Sequence, residues 1–205
     1  MPFLLGLTGN IACGKSSVGQ LLAERFGADY VDADRLVHQL YAAGTSETRH
    51  IAERFGTDLL QQDGTIDRRR LGDRVLHDPR ALRELEAILN PGVRKSIEDH
   101  IASSTKPVVV LDAIRLIEAG LAQRCDAVWV VTCTPEIQQE RLQASRGMSA
   151  EQARLRVESQ RPQAEKIAHA TRVIDNTGDL VQLQRAVQVA WDETVAPYLV
   201  QSSPP

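Results

Sequence analysis

An α/β fold, a parallel sheet flanked by helices, is predicted by three features of the sequence. The apolar runs Phe3–Leu7, Pro107–Leu111 and Ala127–Thr132 are continuous rather than alternating, as strands covered on both faces require. Segments of helical periodicity follow the first and the last of these runs, giving βα units. Between the first run and its helix lies Gly9-Asn10-Ile11-Ala12-Cys13-Gly14-Lys15-Ser16, which fits G-x-x-x-x-G-K-[ST] at every fixed position.

That loop carries the first chemical expectation. Gly9 and Gly14 let the backbone wrap a phosphate, and successive N–H groups with the following helix N-terminus supply positive potential. Lys15 is expected to neutralise the β- and γ-phosphates and the Ser16 hydroxyl to ligate Mg²⁺. The ATP-binding stretch is therefore Gly9 to Ser17, with Ser17 closing it. Val18, Leu21, Leu22 and Phe26 recur at helical spacing behind it. Strand, loop and helix together predict a P-loop nucleoside-triphosphate hydrolase-like three-layer fold.

Further along, Ala28–Asp32 reads as a short strand ending in the acidic pair of VDAD, Asp32 and Asp34. Ligands of open parallel sheets collect beyond the carboxyl ends of the strands, so both carboxylates are expected on the phosphate-loop edge. Asp34 equally suits the first turn of a helix from Arg35 to Tyr41. From Gly44 to Ser104 the pattern is helical, broken at Phe55-Gly56, Asp63-Gly64 and Asp78-Pro79. Arg68, Arg69 and Arg70 read either as anion contacts or as a solvated face. The longest helix runs from Arg80 to about Ile101 on a stripe of Leu82, Leu85, Ile88 and Leu89, with a kink or break at Asn90-Pro91.

The run from Pro107 ends in Asp112, which reads either as a carboxylate holding Mg²⁺ through water, as in phosphate-loop enzymes, or as a simple polar strand end. After Ala127–Thr132, Pro135 opens a helix. The polar helix Ser149 to Arg161, thin on its apolar face of Ala153 and Val157, reads either as a mobile lid or as a solvated charged helix with pairs such as Arg154 with Glu158. Arg172–Asp175 is the last strand, and Asp179 caps a helix from Leu180 to Val195 whose Val181, Ala186, Val189 and Ala190 are expected on the sheet. The polar tail Gln201 to Pro205 is expected to be disordered.

Composition narrows the function classes. With 205 residues, 42% of them hydrophobic, the chain can bury one core, and a net charge of −3 without a basic run argues against nucleic acid as a partner. No apolar segment reaches the roughly 18 residues of a membrane span, and the chain enters its first strand without a cationic leader, so a cytoplasmic protein is expected. Cys13, Cys125 and Cys133 are an odd set without metal-binding spacing and are read as reduced thiols. A helix N-terminus lowers thiol pKa, which makes Cys13 either an oxidisable group or simply a small side chain. His50, His77, His100 and His169 form no cluster. Among phosphate-loop proteins a GTPase requires N-K-x-D, which is missing, and the D-x-x-G at Asp175 to Gly178 comes too late in the chain.

Taken together these residues resemble the dephospho-coenzyme A kinase family along nearly the whole length. GLTGNIACGKSS is similar to the family's GLTGGIASGKST, and VDAD recurs intact. Gly44, Phe55-Gly56, Asp63-Gly64, Asp67-Arg68, Leu71, Glu86, Pro91, Leu111-Asp112, Leu116, Glu118, Arg141, Gln160 and Val173 to Asn176 keep the register. The resemblance implies ATP-dependent phosphorylation of the ribose 3′-hydroxyl of dephospho-CoA, the last step of CoA synthesis. It also implies a single kinase domain of three parts: a nucleotide core of about 1–35, 105–145 and 170–200, a helical substrate region of about 36–104, and a lid of about 146–169. Asp34 is similar to the family's catalytic base, with Lys15 and Arg141 balancing charge and Asn176 approaching the adenine. Where the family reads P-L-L-[FY]-E this chain has Ile114 to Glu118, its His-Pro is Asn90-Pro91, and an Arg after VDAD is His38. Arg115 is the candidate to supply an anion contact missing at His38. A kinase of another nucleoside-like alcohol, or a nucleotide-binding scaffold without transfer, are the rival readings; oligomeric state is not legible.

Overall fold

The computed structural model describes residues 1–76 and 78–202. The chain forms two compact units, one of Met1–Val31 with Ser104–Pro205 and one of Asp32–Ser103. In the first, five strands are ordered β2-β3-β1-β4-β5. They are β1 (Phe3–Thr8), β2 (Asp29–Asp32), β3 (Val108–Asp112), β4 (Ala127–Thr132) and β5 (Arg172–Asp175). β1 runs parallel to β3, with Leu7 opposite Asp112, and parallel to β4, with Leu7 opposite Trp129. β4 pairs parallel with β5. The chain leaves β1 for β2 on one side of the sheet and leaves the neighbouring β3 for β4 on the other, so the carboxyl ends of β1 and β3 form the topological switch point where ligands of such sheets bind.

Alternation decides which residues face which helices. Leu5, Leu7, Val108, Val110, Trp129 and Val131 share one core with α1 (Lys15–Phe26) and a C-terminal helix (Leu180–Thr194). Phe26 of α1 stacks on Trp191 at 4.4 Å between ring centroids. Leu4, Val109, Leu111 and Val130 are buried as well, which is why these runs are apolar throughout.

The second unit contains α2 (Ala33–Leu40), α3 (Ser46–Phe55), α4 (Arg68–Val75) and α5 (Pro79–Ser103) around Ile51, Phe55, Leu59, Leu71, Leu85 and Leu89. Capping fixes the helix starts: Thr45 accepts from the Thr48 amide, and Asp67 from the amides of Arg69 and Arg70. Arg68, Arg69 and Arg70 are exposed. Pro91 does not break α5, because Leu85 and Leu89 before it and Val93 and Ile97 after it are all buried, and this packing outweighs the lost hydrogen bond.

Back in the first unit, α6 (Pro135–Arg146), α7 (Ala150–Glu158) and α8 (Gln163–Ile167) lie between β4 and β5 in the chain; α8 was not foreseen. The C-terminal helix, α9, is capped by Asp179 with a reciprocal Gln182 contact, and of its expected stripe Ala190 is in the core and Ala186 packs against it, while Val181 and Val189 do not. Leu183, Val187, Ala190 and Trp191 are buried, whereas Val181 and Val189 are 53% and 47% exposed. The buried face is centred nearer Trp191, the largest apolar residue of the helix, which turns Val181 and Val189 outward. Gln201 and Ser202 end α10 (Ala196–Ser202), while 203–205 and His77 lie outside the described residues.

The phasing is testable. Leu183→Ala is expected to cost about 2–5 kcal/mol, and Val189→Ala to stay within about 0.5 kcal/mol of wild type. Urea unfolding midpoints of the two variants check it.

Candidate active site

β1 ends at Thr8 and α1 begins at Lys15, and the intervening six residues are held by side chains from elsewhere in the same unit. The Ile11 carbonyl accepts from Gln138 Nε2 at 2.9 Å, the Ala12 carbonyl from Arg141 Nη1 at 3.3 Å, and the Cys13 carbonyl from Asn176 Nδ2 at 2.9 Å. Peptide planarity then turns the N–H groups of Ala12, Cys13 and Gly14 away from those donors. Cys13 N spends its proton on the Asn10 carbonyl at 3.4 Å. The Ile11 amide donates to Gln160 Oε1 at 2.8 Å, and Asn10 Nδ2 to the Arg161 carbonyl at 3.1 Å.

This bracing sustains backbone that the chain avoids elsewhere. Ala12 has φ 58°, the only non-glycine residue with positive φ among the described residues. Such a conformation costs about 1–2 kcal/mol, and the Arg141 bond to its carbonyl offsets part of it. Gly14, at φ 91°, caps α1 without a side-chain hydrogen bond. A Cβ there would lie 2.0 Å from Asn176 Nδ2, and one at Gly9 would lie 2.2 Å from the Val131 carbonyl. Both glycines are therefore required by close approach as well as by φ.

The amides at the start of α1 have no side-chain cap, so the helix offers its positive end to an anion. Lys15 is half-buried and makes no ion pair among the described residues, while Ser16 and Ser17 are exposed beside it. A glycine-walled turn, an uncapped helix start and an uncommitted ammonium fit a triphosphate.

Asp112 ends β3 and is buried, accepting a 2.7 Å hydrogen bond from the Tyr30 hydroxyl that orients its carboxylate. Among the described residues no group of three or more His, Cys, Asp or Glu gathers. The Ser16 hydroxyl and the Asp112 carboxylate are oxygen donors of the kind a hard cation such as Mg²⁺ takes.

Asn176 is 5% exposed and serves three bonds at once. Its amide holds Cys13, its N–H reaches the Thr132 carbonyl at 2.8 Å, and its carbonyl accepts from Arg141 Nη2 at 2.9 Å. Arg141 therefore sits against the loop with its guanidinium bonded to two carbonyls. Gln138 was not anticipated as part of the site. Its signal was present: Gln138, Arg141 and Leu142 stand at helical spacing on one face of α6, and a glutamine buried on such a face needs a partner.

Cys13 is buried, and its thiol is raised by that burial, with the Asp112 charge adding to it and Lys15 and a backbone N–H opposing. Cys133 is pushed up by burial to about 11 and Cys125 to about 12. All three are free thiols, and Cys13 is a packing residue rather than an oxidisable group.

The segment read as a lid packs on the loop. Ala153 is fully buried with Ile11 and Leu142, with Met148 and Val157 against them. α7 starts in a capping box of Ser149 and Gln152. In the second unit, Asp32 caps α2 by accepting from the Arg35 amide at 3.1 Å, and Asp34 is exposed in the first turn.

A five-stranded parallel sheet with a phosphate loop at its switch point defines a P-loop kinase-type protein. A shikimate kinase from Bacteroides thetaiotaomicron shares this fold, with a TM-score of 0.53 at 17% identity over 93% of this chain and 96% of that one. The family model for dephospho-CoA kinase matches residues 3–182, and the chain belongs to that family. It is 42% identical to a dephospho-CoA kinase of Geobacter sulfurreducens over 191 residues, 92% of this chain and 96% of the relative. The structure of a dephospho-CoA kinase from Campylobacter jejuni superposes with a TM-score of 0.68 at 25% identity, covering 94% and 97% of the two chains.

Gly14→Ala is expected to lower ATP affinity at least about tenfold, through left-handed strain and displacement of Asn176. The variant should still unfold cooperatively. Calorimetric titration with MgATP checks it, and wild-type affinity would contradict the cradle.

Proposed function

We propose that this protein transfers the γ-phosphoryl group of ATP to the ribose 3′-hydroxyl of dephospho-CoA, giving CoA and ADP, the final step of CoA biosynthesis, in the cytoplasm. The observation that carries this reading is the family match across residues 3–182 together with an intact, braced phosphate loop.

Each residue is assigned a role on chemical grounds. The loop amides and Lys15 grip the triphosphate and oppose the charge that spreads over the transferring group. Asp34 accepts the proton of the acceptor hydroxyl as its oxygen bonds to the γ-phosphorus and the bridge to the β-phosphate breaks. The VDAD sequence and the resemblance built on it support Asp34 in this role, and an exposed carboxylate suits it. Arg141 keeps a positive charge behind the loop while holding its shape. Bound Mg²⁺, with Ser16 and Asp112 as its protein oxygens, would supply charge neutralisation of the phosphates. Asn176 supports the loop on the side where the purine is assigned.

Incubation with MgATP and dephospho-CoA, read by mass spectrometry, should show the acceptor gaining one phosphate group. Nucleosides offered alone should turn over far more slowly; equal turnover would favour another nucleoside-like alcohol as the substrate. Asp34→Asn should reduce kcat by about 10²–10⁴ with little change in KM for ATP, and near-normal turnover would remove Asp34 from the mechanism.

A further inference from the structure

Tyr30 of β2 and Gly19 of α1 belong to no phosphate-loop motif, yet both bear on Asp112. β2 lies next to β3 in the sheet, and Asp112 closes β3 opposite Leu7 of β1, where the Ala113 amide donates to the Leu7 carbonyl at 3.0 Å. Thr8 ends β1 and Gly9 opens the phosphate loop, so Asp112 is held at the foot of that loop. It is 5% exposed, and a buried carboxylate needs hydrogen-bond donors. The Tyr30 hydroxyl supplies one to Oδ2 at 2.7 Å, a full-strength O–H···O bond.

The ring that carries this hydroxyl is seated on α1. A Cβ at Gly19 would lie 2.1 Å from Cε2 of Tyr30, 2.7 Å from Cδ2 and 2.9 Å from Cζ. Gly19 is not among the glycines of positive φ, so its backbone is one that alanine adopts, and alanine would strengthen the helix. The absent side chain instead makes room for the phenol. Gly19 stands one turn after Lys15 in α1, so the ring, its hydroxyl and Asp112 are tied to the helix that begins at the phosphate loop.

We infer that Tyr30 is a positioning residue for Mg²⁺ binding: seated against Gly19, its hydroxyl fixes the Asp112 carboxylate in the orientation that serves the ion. The inference rests on the reading of Asp112 as a protein oxygen of the Mg²⁺ site. Hydrogen-bonded partners of this kind typically change metal affinity about tenfold or more.

The test is calorimetric binding of a non-hydrolysable ATP analogue to the full chain, at a series of fixed Mg²⁺ concentrations and in excess EDTA. Tyr30→Phe keeps the ring and removes the donor. It should need about tenfold more Mg²⁺ than wild type for the half-maximal gain in nucleotide affinity, with affinity in EDTA within about twofold of wild type. Gly19→Ala keeps the hydroxyl but displaces the ring, and should raise the Mg²⁺ requirement in the same way. Combined with Tyr30→Phe it should add little, because both act through one contact. Thermal unfolding followed by circular dichroism establishes that the variants are folded, and either single variant suffices. A wild-type Mg²⁺ requirement in a folded single variant overturns the inference. Equal loss of affinity in Mg²⁺ and in EDTA makes the hydroxyl a support of the loop as a whole and also overturns it. Asp112→Asn separates the inference from the reading beneath it. A weakened Mg²⁺ response there, with Tyr30→Phe unaffected, keeps Asp112 at the ion and removes Tyr30; a wild-type response in Asp112→Asn removes both.

Discussion

Three adjacent carbonyl groups, those of Ile11, Ala12 and Cys13, are each drawn onto a side-chain donor outside the loop, and the site depends on that arrangement. A short glycine-containing turn has many conformations available in solution. Fixing its carbonyls on Gln138, Arg141 and Asn176 selects one in which the intervening amides face the other way. The ordering cost is met on folding rather than on binding, which is what preorganisation means for an anion site. The same donors hold Ala12 in a left-handed conformation that an isolated turn would leave.

The rest of the first unit exists, in mechanical terms, to bring those donors together. The sheet order β2-β3-β1-β4-β5 places the ends of β4 and β5 on one flank of β1, which carries α6 and Asn176 to the loop. On its other flank β3 ends in Asp112, oriented by Tyr30. Burial of Leu142 and Ala153 against Ile11 anchors the segment before β5 to the loop itself, and Gln160 and Asn10 complete the link. A change in that segment is therefore a change in the phosphate cradle.

Most strands and the loop were legible because each rests on a local signal: continuous apolar runs, a glycine spacing, Asp179 before a helix. What was not legible depended on tertiary partners. Pro91 argued for a kink or a break, and residues buried on both sides of it keep α5 unbroken. Val181 and Val189 looked like core because periodicity alone does not fix phase; Trp191 does. Arg141 was recognised as a charge near phosphate, yet its bonds to the Ala12 and Asn176 carbonyls require knowing that β4, α6 and β5 converge on β1. Gln138 and Lys166 carry no motif, and their partners lie far away in sequence, at Ile11 and Glu118.

The central claim is that the loop amides are pre-aimed at an anion. Amide proton and nitrogen chemical shifts of the full chain, followed by NMR as MgATP is added, test it most directly. The account predicts that the largest changes fall on Ala12 and on Gly14 to Ser17, while the side-chain amides of Gln138 and Asn176 keep their shifts because their bonds are already made. Broad changes at those two amides, or shifts concentrated away from the loop, would contradict a cradle formed before its ligand arrives.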